Sequence, residues 1–485
     1  MRYYLFFILL FGIAVANAQD VIGPVYGGTG NEIGTALCRT PTDGYLLVGS
    51  TRSFGEGSED IYLINIDKNF GTIWEKTIGW VHSDRINSVI ATNNAYILCG
   101  GIWDFGMAGM DISLIKTDLN GDVLWKKFYG SHLRDWGKKV IQTQDSDLVV
   151  LGYSRAYDNR GDIVVLKTDK EGNELWRHNY GFDYDDYGFD ITFDEENNIY
   201  VIGTKNGFYD DVHANFQNHD ADYFLLKINS SGEEIWRKVF GGDGHDFGSA
   251  IVVNDGKIIC VGSSQSGSAG NFDLEITILN NDTIIESSSK YGGSEYDCGT
   301  SIVSNGENET FVLGTTKSYS ANSSADFFLL KFNSSNSLVW QTSFGGPGND
   351  FGMNLLATDD GGCLVIGKSN SYSNGDNDIL LVKINSNGIV EDILNDIDSN
   401  ERGKSGIIYP NPIADKGRIK VIDEQTSYKL VIFSINGVFK RDIDITPPYF
   451  GFDIKYLEPG TYAYELLPKG NNAEIKRISG ILIVK

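Results

Sequence analysis

The sequence predicts an all-β chain in which a seven-bladed β-propeller is followed by a small antiparallel β-sandwich. Three observations support this fold class. A phrase that begins with Asp and continues as an apolar run occurs seven times, at intervals of 51 to 60 residues. A second apolar run that ends near a Gly precedes each copy, and the chain holds 57 Gly but only 9 Pro. Repeats of this length, built from several short strands and tight turns, are typical of propeller blades.

One repeat unit contains four strand-like segments separated by turn residues. In the first unit they are residues 34–40, 45–51, 60–67 and 72–79. The third segment of each unit begins with the repeated aspartate, which is Asp60, Asp111, Asp162, Asp222, Asp273, Asp326 or Asp378. Asp162 also ends an Arg160-Gly161-Asp162 tripeptide of the kind that adhesion receptors read. Because its aspartate occurs in every unit, we interpret that tripeptide as scaffold.

A tryptophan stands fourteen residues after the repeated aspartate in five units. These residues are Trp74, Trp125, Trp176, Trp236 and Trp340. A bulky apolar residue at a fixed place in each repeat is explained by packing between neighbouring repeats. We therefore expect these tryptophans to lie between blades.

The two ends of the repeat region complement each other. The seventh unit ends at "GIVEDILN" and has no segment that matches the fourth strand of the other units. The segment at residues 20–28, "DVIGPVYGG", matches the end of that missing strand. The sequence therefore predicts that the N-terminal strand completes blade seven and removes a free sheet edge.

The first 18 residues have the features of a secretory signal peptide. Arg2 is followed by an apolar run, and small residues precede an expected cleavage site after Ala18. No later apolar run approaches the roughly 20 residues that a transmembrane helix needs. We expect an exported chain without a transmembrane segment, with the propeller at residues 19–394.

The chain is acidic, with 65 Asp plus Glu against 40 Lys plus Arg and a formal net charge of −25. The negative excess lies before Gly406, and the remainder is almost neutral. Such a surface repels nucleic acids and anionic membranes, so neither is an expected partner. The five cysteines are scattered, and we interpret them as small buried apolar residues.

The last part of the chain differs from the repeats in charge and pattern. A polar linker is expected at residues 395–406, followed by the predicted sandwich at residues 407–485. Its motif residues are Tyr409, Pro410, Asn411, Pro412, Asn436, Gly437, Pro459, Gly460, Tyr462 and Lys485. The Asn436-Gly437 pair is typical of a two-residue hairpin turn.

These motifs resemble the type A C-terminal sorting domain of the type IX (Por) secretion system of Bacteroidetes. The resemblance implies passage through the periplasm and the outer-membrane translocon, followed by release or by attachment to the cell surface. The type IX machinery is then a partner of this domain. The alternative is an ordinary accessory sandwich. The propeller repeats resemble those of secreted bacterial propellers, and also the tryptophan-docking repeats of pyrroloquinoline-quinone propellers.

An acidic residue also occurs once per unit in the segments between consecutive repeats. These residues are Glu32, Asp84, Asp135, Asp186, Asp246, Asp297 and Asp350. A ring of carboxylates could hold Ca²⁺ or a cationic ligand. Because the acid recurs in every unit, we favour the alternative that it caps turn N–H groups.

The fourth unit is the longest and carries an insertion in the loop between its second and third strands. Metal-ligand side chains are concentrated there, namely Asp210, Asp211, His213, His219 and Asp220. Their spacing fits no established metal signature, and a solvated polar loop is the alternative. No catalytic or cofactor-binding residue is assigned elsewhere.

The sequence favours a secreted or surface-attached binding module that is a monomer and whose glycan or protein ligand is unknown. The alternative is a secreted polysaccharide hydrolase or lyase. Such an enzyme would carry two carboxylates about 5 to 10 Å apart at the mouth of the propeller funnel. A quinone-binding protein is a third and weaker interpretation.

Overall fold

The apolar runs of the repeats form strands that are arranged as seven antiparallel sheets. A computed structural model of the chain describes residues 19–20, 23–103, 109–130, 133–155, 161–182, 185–206, 221–268, 270–320, 322–373, 375–391, 406–409, 416–421, 428–434, 439–445, 449–453, 457, 460–468 and 478–484. Among these residues, no helix has the length and apolar character required to span a membrane.

Two short strands precede the blades, and each of the first three blades contains four strands. The short strands are β1 (Gln19–Asp20) and β2 (Val25–Tyr26). Blade one consists of β3 (Ile33–Arg39), β4 (Tyr45–Thr51), β5 (Asp60–Ile66) and β6 (Thr72–Ile78). Blade two consists of β7 (Arg85–Ala91), β8 (Tyr96–Trp103), β9 (Met110–Thr117) and β10 (Val123–Tyr129). Blade three consists of β11 (Asp135–Gln142), β12 (Leu148–Ser154), β13 (Asp162–Thr168) and β14 (Glu174–Tyr180).

The remaining blades follow the same plan. Blade four consists of β15 (Tyr187–Phe193), β16 (Ile199–Lys205), β17 (Asp222–Ile228) and β18 (Glu234–Phe240). Blade five consists of β19 (Asp246–Asn254), β20 (Lys257–Ser264), β21 (Asp273–Asn280) and β22 (Ile285–Tyr291). Blade six consists of β23 (Asp297–Ser304), β24 (Thr310–Thr316), β25 (Asp326–Phe332) and β26 (Leu338–Gly345). Blade seven contains β27 (Asp350–Ala357), β28 (Cys363–Ser369), β29 (Asp378–Ile384) and β30 (Val390–Glu391).

The seven sheets form a closed ring. The first strand of each sheet contacts the first strand of both neighbouring sheets, and β27 of blade seven contacts β3 of blade one. The first strands therefore line the centre and the fourth strands form the circumference. The second and third strands are buried almost throughout, because adjacent blades cover both faces. The all-β, seven-bladed propeller predicted from the repeats is confirmed.

Blade seven is closed by both ends of the propeller segment. Strand β2 pairs antiparallel with β29, Val25 opposite Leu380 and Tyr26 opposite Ile379. Strand β30 pairs with the other end of β29, opposite Lys383 and Ile384. The predicted N-terminal closure is confirmed, but the fourth strand of this blade is a composite of β2 and β30. In addition, β1 pairs in parallel with β26 of blade six.

The two residues of β2 face opposite sides of blade seven, because side chains alternate along a strand. Val25 packs with Phe344 and Leu380 in the core between blades six and seven. Tyr26 packs with Leu37 and other residues in the core between blades seven and one. One short strand thus contributes to two blade junctions.

The repeated tryptophans pack against the next blade, as predicted. A Cβ added at Gly121 of blade two would lie 2.7 Å from the ring of Trp74 of blade one. Gly121 also has a φ of 81°, which glycine adopts without strain. The indole N–H of Trp340 donates a hydrogen bond of 3.0 Å to the carbonyl oxygen of Ser386 in blade seven.

The Gly-Asp part of the tripeptide belongs to blade three, in agreement with its interpretation as scaffold. Gly161 is buried, and a Cβ added to it would lie 1.8 Å from the ring of Tyr153. Asp162 begins β13. Arg160 lies outside the described residues.

Three of the five cysteines are buried, as expected, whereas Cys38 and Cys298 are only partly buried. All five are free thiols, and Cys99, Cys260 and Cys363 are fully buried. Burial raises the pKa of the Cys363 thiol to about 12.

The last part of the chain forms two antiparallel sheets. One contains β31 (Gly406–Tyr409), β32 (Lys416–Val421) and β35 (Tyr449–Asp453). The other contains β33 (Tyr428–Ser434), β34 (Phe439–Ile445), β36 (Gly460–Pro468) and β37 (Ile478–Val484). The predicted hairpin strands β33 and β34 do pair. That the two sheets form one sandwich stays a prediction.

The predicted sorting motif is only partly within the described residues. Tyr409 ends β31, Gly460 begins β36, and Tyr462 is a buried residue of β36. The other motif residues lie outside the described part of the chain, namely Pro410, Asn411, Pro412, Asn436, Gly437, Pro459 and Lys485.

The composite strand leads to a prediction about stability. Deleting residues 19–26 removes β1 and β2 and exposes the edge of β29, so we expect aggregation and a large fall in melting temperature. Complete burial of a large apolar side chain stabilises by about 1.5–3 kcal/mol, so the loss of Val25 and Tyr26 should cost about 3–6 kcal/mol. Differential scanning calorimetry measures the change.

Ile389→Ala is the matched control, because Ile389 precedes β30 and is 53% exposed. This substitution should change the free energy of unfolding by less than about 0.5 kcal/mol. A deletion variant that melts within about 2 °C of the parent would show that the ring closes without β2.

Candidate functional site

The acidic residues that begin the inner strands form a buried ring at one end of the propeller. The hydrogen bonds of Asp297 are typical of the ring. This carboxylate accepts hydrogen bonds from the N–H of Gly293 at 2.8 Å, from the hydroxyl of Ser318 at 2.6 Å and from the N–H of Ser318 at 3.3 Å. The first N–H belongs to the turn that enters blade six, and Ser318 follows the second strand of that blade. One carboxylate thus connects two loops.

The same contact recurs around the ring. The N–H four residues earlier in the chain donates to the carboxylate in the pairs Gly28–Glu32, Trp80–Asp84, Phe182–Asp186, Gly242–Asp246 and Gly346–Asp350, at 2.5–2.8 Å. The seven acids, Asp135 included, are at most 1% exposed. The interpretation as turn caps is confirmed for these five acids and for Asp297.

The aspartates at the start of the third strands lie beside these caps, a pairing that the repeat pattern does not predict. At five junctions, a Cβ added to the glycine at the end of the fourth strand or directly after it would touch two carboxylates. At Gly345 these are Oδ1 of Asp326 at 2.4 Å and Oδ2 of Asp350 at 2.8 Å, which belong to adjacent blades. The glycine therefore leaves the space in which two buried acids approach each other.

This arrangement changes the acidity of several carboxyl groups. Burial raises the pKa of Asp84, Asp186 and Asp326 to about 6, because it removes water from the charged form. The neighbouring carboxylates of Asp60, Asp162 and Asp350, respectively, raise these pKa values further. Backbone N–H donors lower the pKa of Asp84 and Asp186 and only partly offset the increase.

The predicted metal ligands of the blade-four insertion, Asp210, Asp211, His213, His219 and Asp220, lie outside the described residues. Both ends of the insertion are described. The N–H of Asn206 donates to Asp186 at 3.0 Å, and the N–H of Ala221 donates to Nδ1 of His245 at 3.2 Å. The described part of the chain contains no group of three or more His, Cys, Asp or Glu that could hold a metal ion.

A central channel with a volume of about 360 Å³ runs between the inner strands. This volume lies within the range of about 300–1,000 Å³ typical of ligand pockets. All seven inner strands contribute to its wall. Each inner strand contains a β-bulge at the third residue after its acid, and the seven bulge residues are Thr35, Asn87, Lys138, Phe189, Ser249, Thr300 and Met353.

The bulge residues differ in chemistry although they share one position of the repeat. They include two threonines, an amide, a cation, an aromatic ring, a serine and a thioether, whereas the acid before them occurs in all seven blades. Bulges re-aim side chains and are frequent beside functional sites. The channel wall is thus the place where the blades share a backbone geometry and differ in side chains.

Two neighbouring blades supply charged side chains to this wall. Nζ of Lys139 lies 2.5 Å from Oδ1 of Asp190, and the ammonium of Lys138 lies 5.2 Å from the centre of the Phe189 ring. Asp190 is 5% exposed, and its carboxylate also accepts the N–H of Ile251 at 3.0 Å. Asp190 therefore connects three blades.

An aromatic wall is formed by Phe247, Phe272 and Tyr296, from blades five and six. The ring centres of Phe247 and Phe272 are 5.6 Å apart, and those of Phe272 and Tyr296 are 5.7 Å apart. All three residues line the channel next to the acid ring. His245, which holds one end of the insertion, stacks on Phe247 with ring centres 6.3 Å apart. The end of the insertion at Ala221 is therefore linked to this wall through His245.

The two-carboxylate arrangement expected of a glycosidase is not present in the described wall of the channel. Asp190 is the only acid among the described lining residues, and it is paired with Lys139. Sequence reasoning did not identify the channel residues. Aligning the seven repeats on their acids shows a position that varies from blade to blade, and this signal could have identified them.

Comparison of the sequence with protein-family profiles and with curated proteins finds no match. Among solved structures, the chain is similar to the extracellular domain of a putative one-component system from B. thetaiotaomicron, with 12% identity and a TM-score of 0.44, covering 97% of this chain and 59% of that one. It is also similar to the Neurospora crassa Pan2 WD40 domain, with 8% identity and a TM-score of 0.44, covering 74% of this chain and 89% of that one. A third similar structure is Drosophila Semaphorin 2a, with 6% identity and a TM-score of 0.44, covering 97% of this chain and 99% of that one.

The buried acids lead to a prediction about pH. Asp84, Asp186 and Asp326 have pKa values of about 6 in the folded chain, against about 3.8 for an ordinary aspartate. The folded state then binds more protons than the unfolded state between about pH 4 and pH 6, so its stability rises as the pH falls through this window. We expect a higher melting temperature at pH 5 than at pH 7.

Asp84→Asn should reduce this pH dependence, since an amide oxygen still accepts an N–H hydrogen bond but does not titrate. Asp43→Asn, on an exposed turn, is the matched control and should leave it unchanged. Below about pH 4, the loss of ion pairs counteracts this gain in stability. Burial raises the pKa of Asp360, but its hydrogen bond to Lys383 and its other hydrogen bonds lower that pKa to about 2, so protonating Asp360 in this range destabilises the fold. A melting temperature that falls steadily from pH 7 to pH 5 would contradict the prediction.

Proposed function

We propose that the protein is an extracellular binding module whose ligand enters the central channel from the end that carries the acid ring. The observation that carries this proposal is the variation among the seven bulge residues. Features present in every blade, such as the acid caps, are required to build a blade. Side chains that differ at one position of the repeat are not part of the plan that all blades share, so they are available for recognition. Thr35 and Asn87 also donate hydrogen bonds to backbone carbonyl oxygens of the next blade.

A binding role fits the described wall better than hydrolysis does. Two opposed carboxylates are the usual requirement for cleaving a glycosidic bond, and the described lining offers one acid, which is engaged by a lysine. The aromatic wall, the hydroxyl groups and the amides are instead suited to binding a polar ligand that has apolar faces. Glycans and peptides both belong to that class.

The last part of the chain supports the second half of the proposal, export by a type IX secretion system. The motif residues resemble a type A sorting domain, and the N-terminal residues have the pattern of a signal peptide. The protein would then act as a secreted or surface-attached monomer. The predicted boundaries are residues 1–18 for the signal, 19–394 for the propeller and 407–485 for the sorting domain.

Binding is tested with the purified protein on panels of glycans and peptides, with product release recorded in the same assay. Ser249→Phe should abolish binding of any ligand found, because Ser249 is a channel residue and the added ring fills the channel. Ser287→Phe, on the exposed outer strand β22, is the control and should bind as the parent does. Equal binding by both variants, with unchanged melting temperatures, would place the ligand outside the channel. Release of a cleaved product would favour the alternative function, that of a polysaccharide hydrolase or lyase.

Export is tested by removing residues 406–485. The truncated chain should fold with the melting temperature of the propeller and remain in the periplasm, because its sheets close without the last two sheets. Cell fractionation next to the intact chain measures this outcome. Efficient release of the truncated chain into the medium would contradict the proposed role of the tail.

A further inference from the structure

Five consecutive blades of the ring supply uncharged polar side chains to the channel wall. They are blades five, six, seven, one and two, whose inner strands contact one another in this order. At the bulge of the inner strand or directly after it, these blades carry Ser249, Thr300, Asn354, Thr35 and Asn87, which all line the channel. We call these five residues the neutral arc.

The charged side chains of the described wall lie in blades three and four, outside the neutral arc. Lys139 and Asp190 form the ion pair of 2.5 Å across these two blades. The third charged residue, Lys138, packs over the ring of Phe189, 5.2 Å from its centre. A ligand that contacts the neutral arc therefore meets hydrogen-bonding groups there but no charged side chain.

The two threonines of the neutral arc use their hydroxyl protons within the protein. Thr35 donates to the carbonyl oxygen of Ile86 at 2.6 Å, and Thr300 donates to the carbonyl oxygen of Leu313 at 3.2 Å. A hydroxyl group that has donated its proton still carries lone pairs and can accept a further hydrogen bond. These two residues therefore favour a ligand that donates hydrogen bonds.

The asparagines and the serine of the neutral arc have further hydrogen-bonding capacity. Asn87 uses one amide N–H, which donates to the carbonyl oxygen of Gly137 at 2.7 Å, and its Oδ1 can still accept. Asn354 and Ser249 are partly exposed, and their side chains form no hydrogen bond to the described part of the chain. An amide carries a C=O acceptor beside N–H donors, so it can pair with two adjacent hydroxyl groups at once.

From these groups we infer that the channel binds a neutral sugar, whose adjacent hydroxyl groups pair with the neutral arc. This inference rests on the proposed binding function and names its ligand class. The arc surrounds the channel at one level of the inner strands, and the hydroxyl groups of a pyranose likewise surround its ring. An extended peptide instead presents its N–H groups along its length. The channel volume of about 360 Å³ is sufficient for a sugar ring.

The test uses the purified full chain and isothermal titration calorimetry. The probes are the neutral disaccharides cellobiose, maltose and lactose, the permethylated form of each, and tetraalanine with both ends capped. Permethylation keeps the rings and the acceptor oxygens but removes every O–H donor. We expect at least one disaccharide to bind about tenfold or more tightly than its permethylated form and than the peptide, because hydrogen bonds to the neutral arc are lost in both.

A pair of variants locates the interaction. Asn354→Leu keeps the approximate volume of the side chain and removes its amide, so it should weaken binding of that disaccharide about tenfold. Its melting temperature should equal that of the parent, because the amide forms no hydrogen bond to the described part of the chain. Asn281→Leu, on an exposed turn of blade five, is the matched control and should bind as the parent does.

The remaining outcomes separate this inference from the proposed function. If Ser249→Phe abolishes binding of a disaccharide while Asn354→Leu and permethylation leave it unchanged, the channel is a binding site but the neutral arc does not select the ligand. If none of the three disaccharides binds, the inference is overturned, and the glycan and peptide panels alone decide the binding function. Tighter binding of the capped peptide than of every disaccharide would replace the sugar with a peptide ligand.

Discussion

Closure of the ring is the constraint on which the rest of the structure depends. Seven sheets surround one channel only if blade seven has a fourth strand and meets blade one. The chain supplies that strand from both ends of the propeller segment, β2 and β30. Val25 and Tyr26 extend into the cores on either side of blade seven, so closure also completes two junctions. All seven inner strands contribute to the channel wall, and that wall exists only when the ring is closed.

The acid ring shows how the same end of the propeller is made rigid. Burying carboxylates is unfavourable unless they are hydrogen-bonded. Here Asp84, Asp246, Asp297 and Asp350 accept N–H hydrogen bonds from the loops that surround the channel entrance, and the last three also accept hydroxyl hydrogen bonds from them. A buried charge that costs stability therefore also fixes these loops. Because these acids already accept hydrogen bonds from the surrounding loops, the side chains that can contact a ligand are those of the bulge residues that follow them in each inner strand. Lys138, Phe189 and their neighbours are thus presented by a rigid backbone.

Periodicity made the blades predictable. The four strands of blade one begin and end within one residue of the segments read from the sequence, and the acids cap turns as their repetition indicated. Relations between blades were not predictable in the same way. The pairing of Asp326 with Asp350, the contribution of β30 and the meeting of Lys138 with Phe189 depend on which residues face each other in three dimensions. The pattern within one repeat does not contain information about which residues of different blades face each other. The metal-binding role of the insertion residues between Asp210 and Asp220 remains a prediction from the sequence.

The central claim is that residues common to the blades build the ring and that residues differing between them bind the ligand. A paired alanine scan tests it most directly, with melting temperature and ligand affinity measured for each variant at the seven acid positions and at the seven bulge positions. The account predicts that the acid variants lower the melting temperature, and that the bulge variants lower affinity with little effect on melting. Bulge variants that melt as low as the acid variants while binding normally would contradict it.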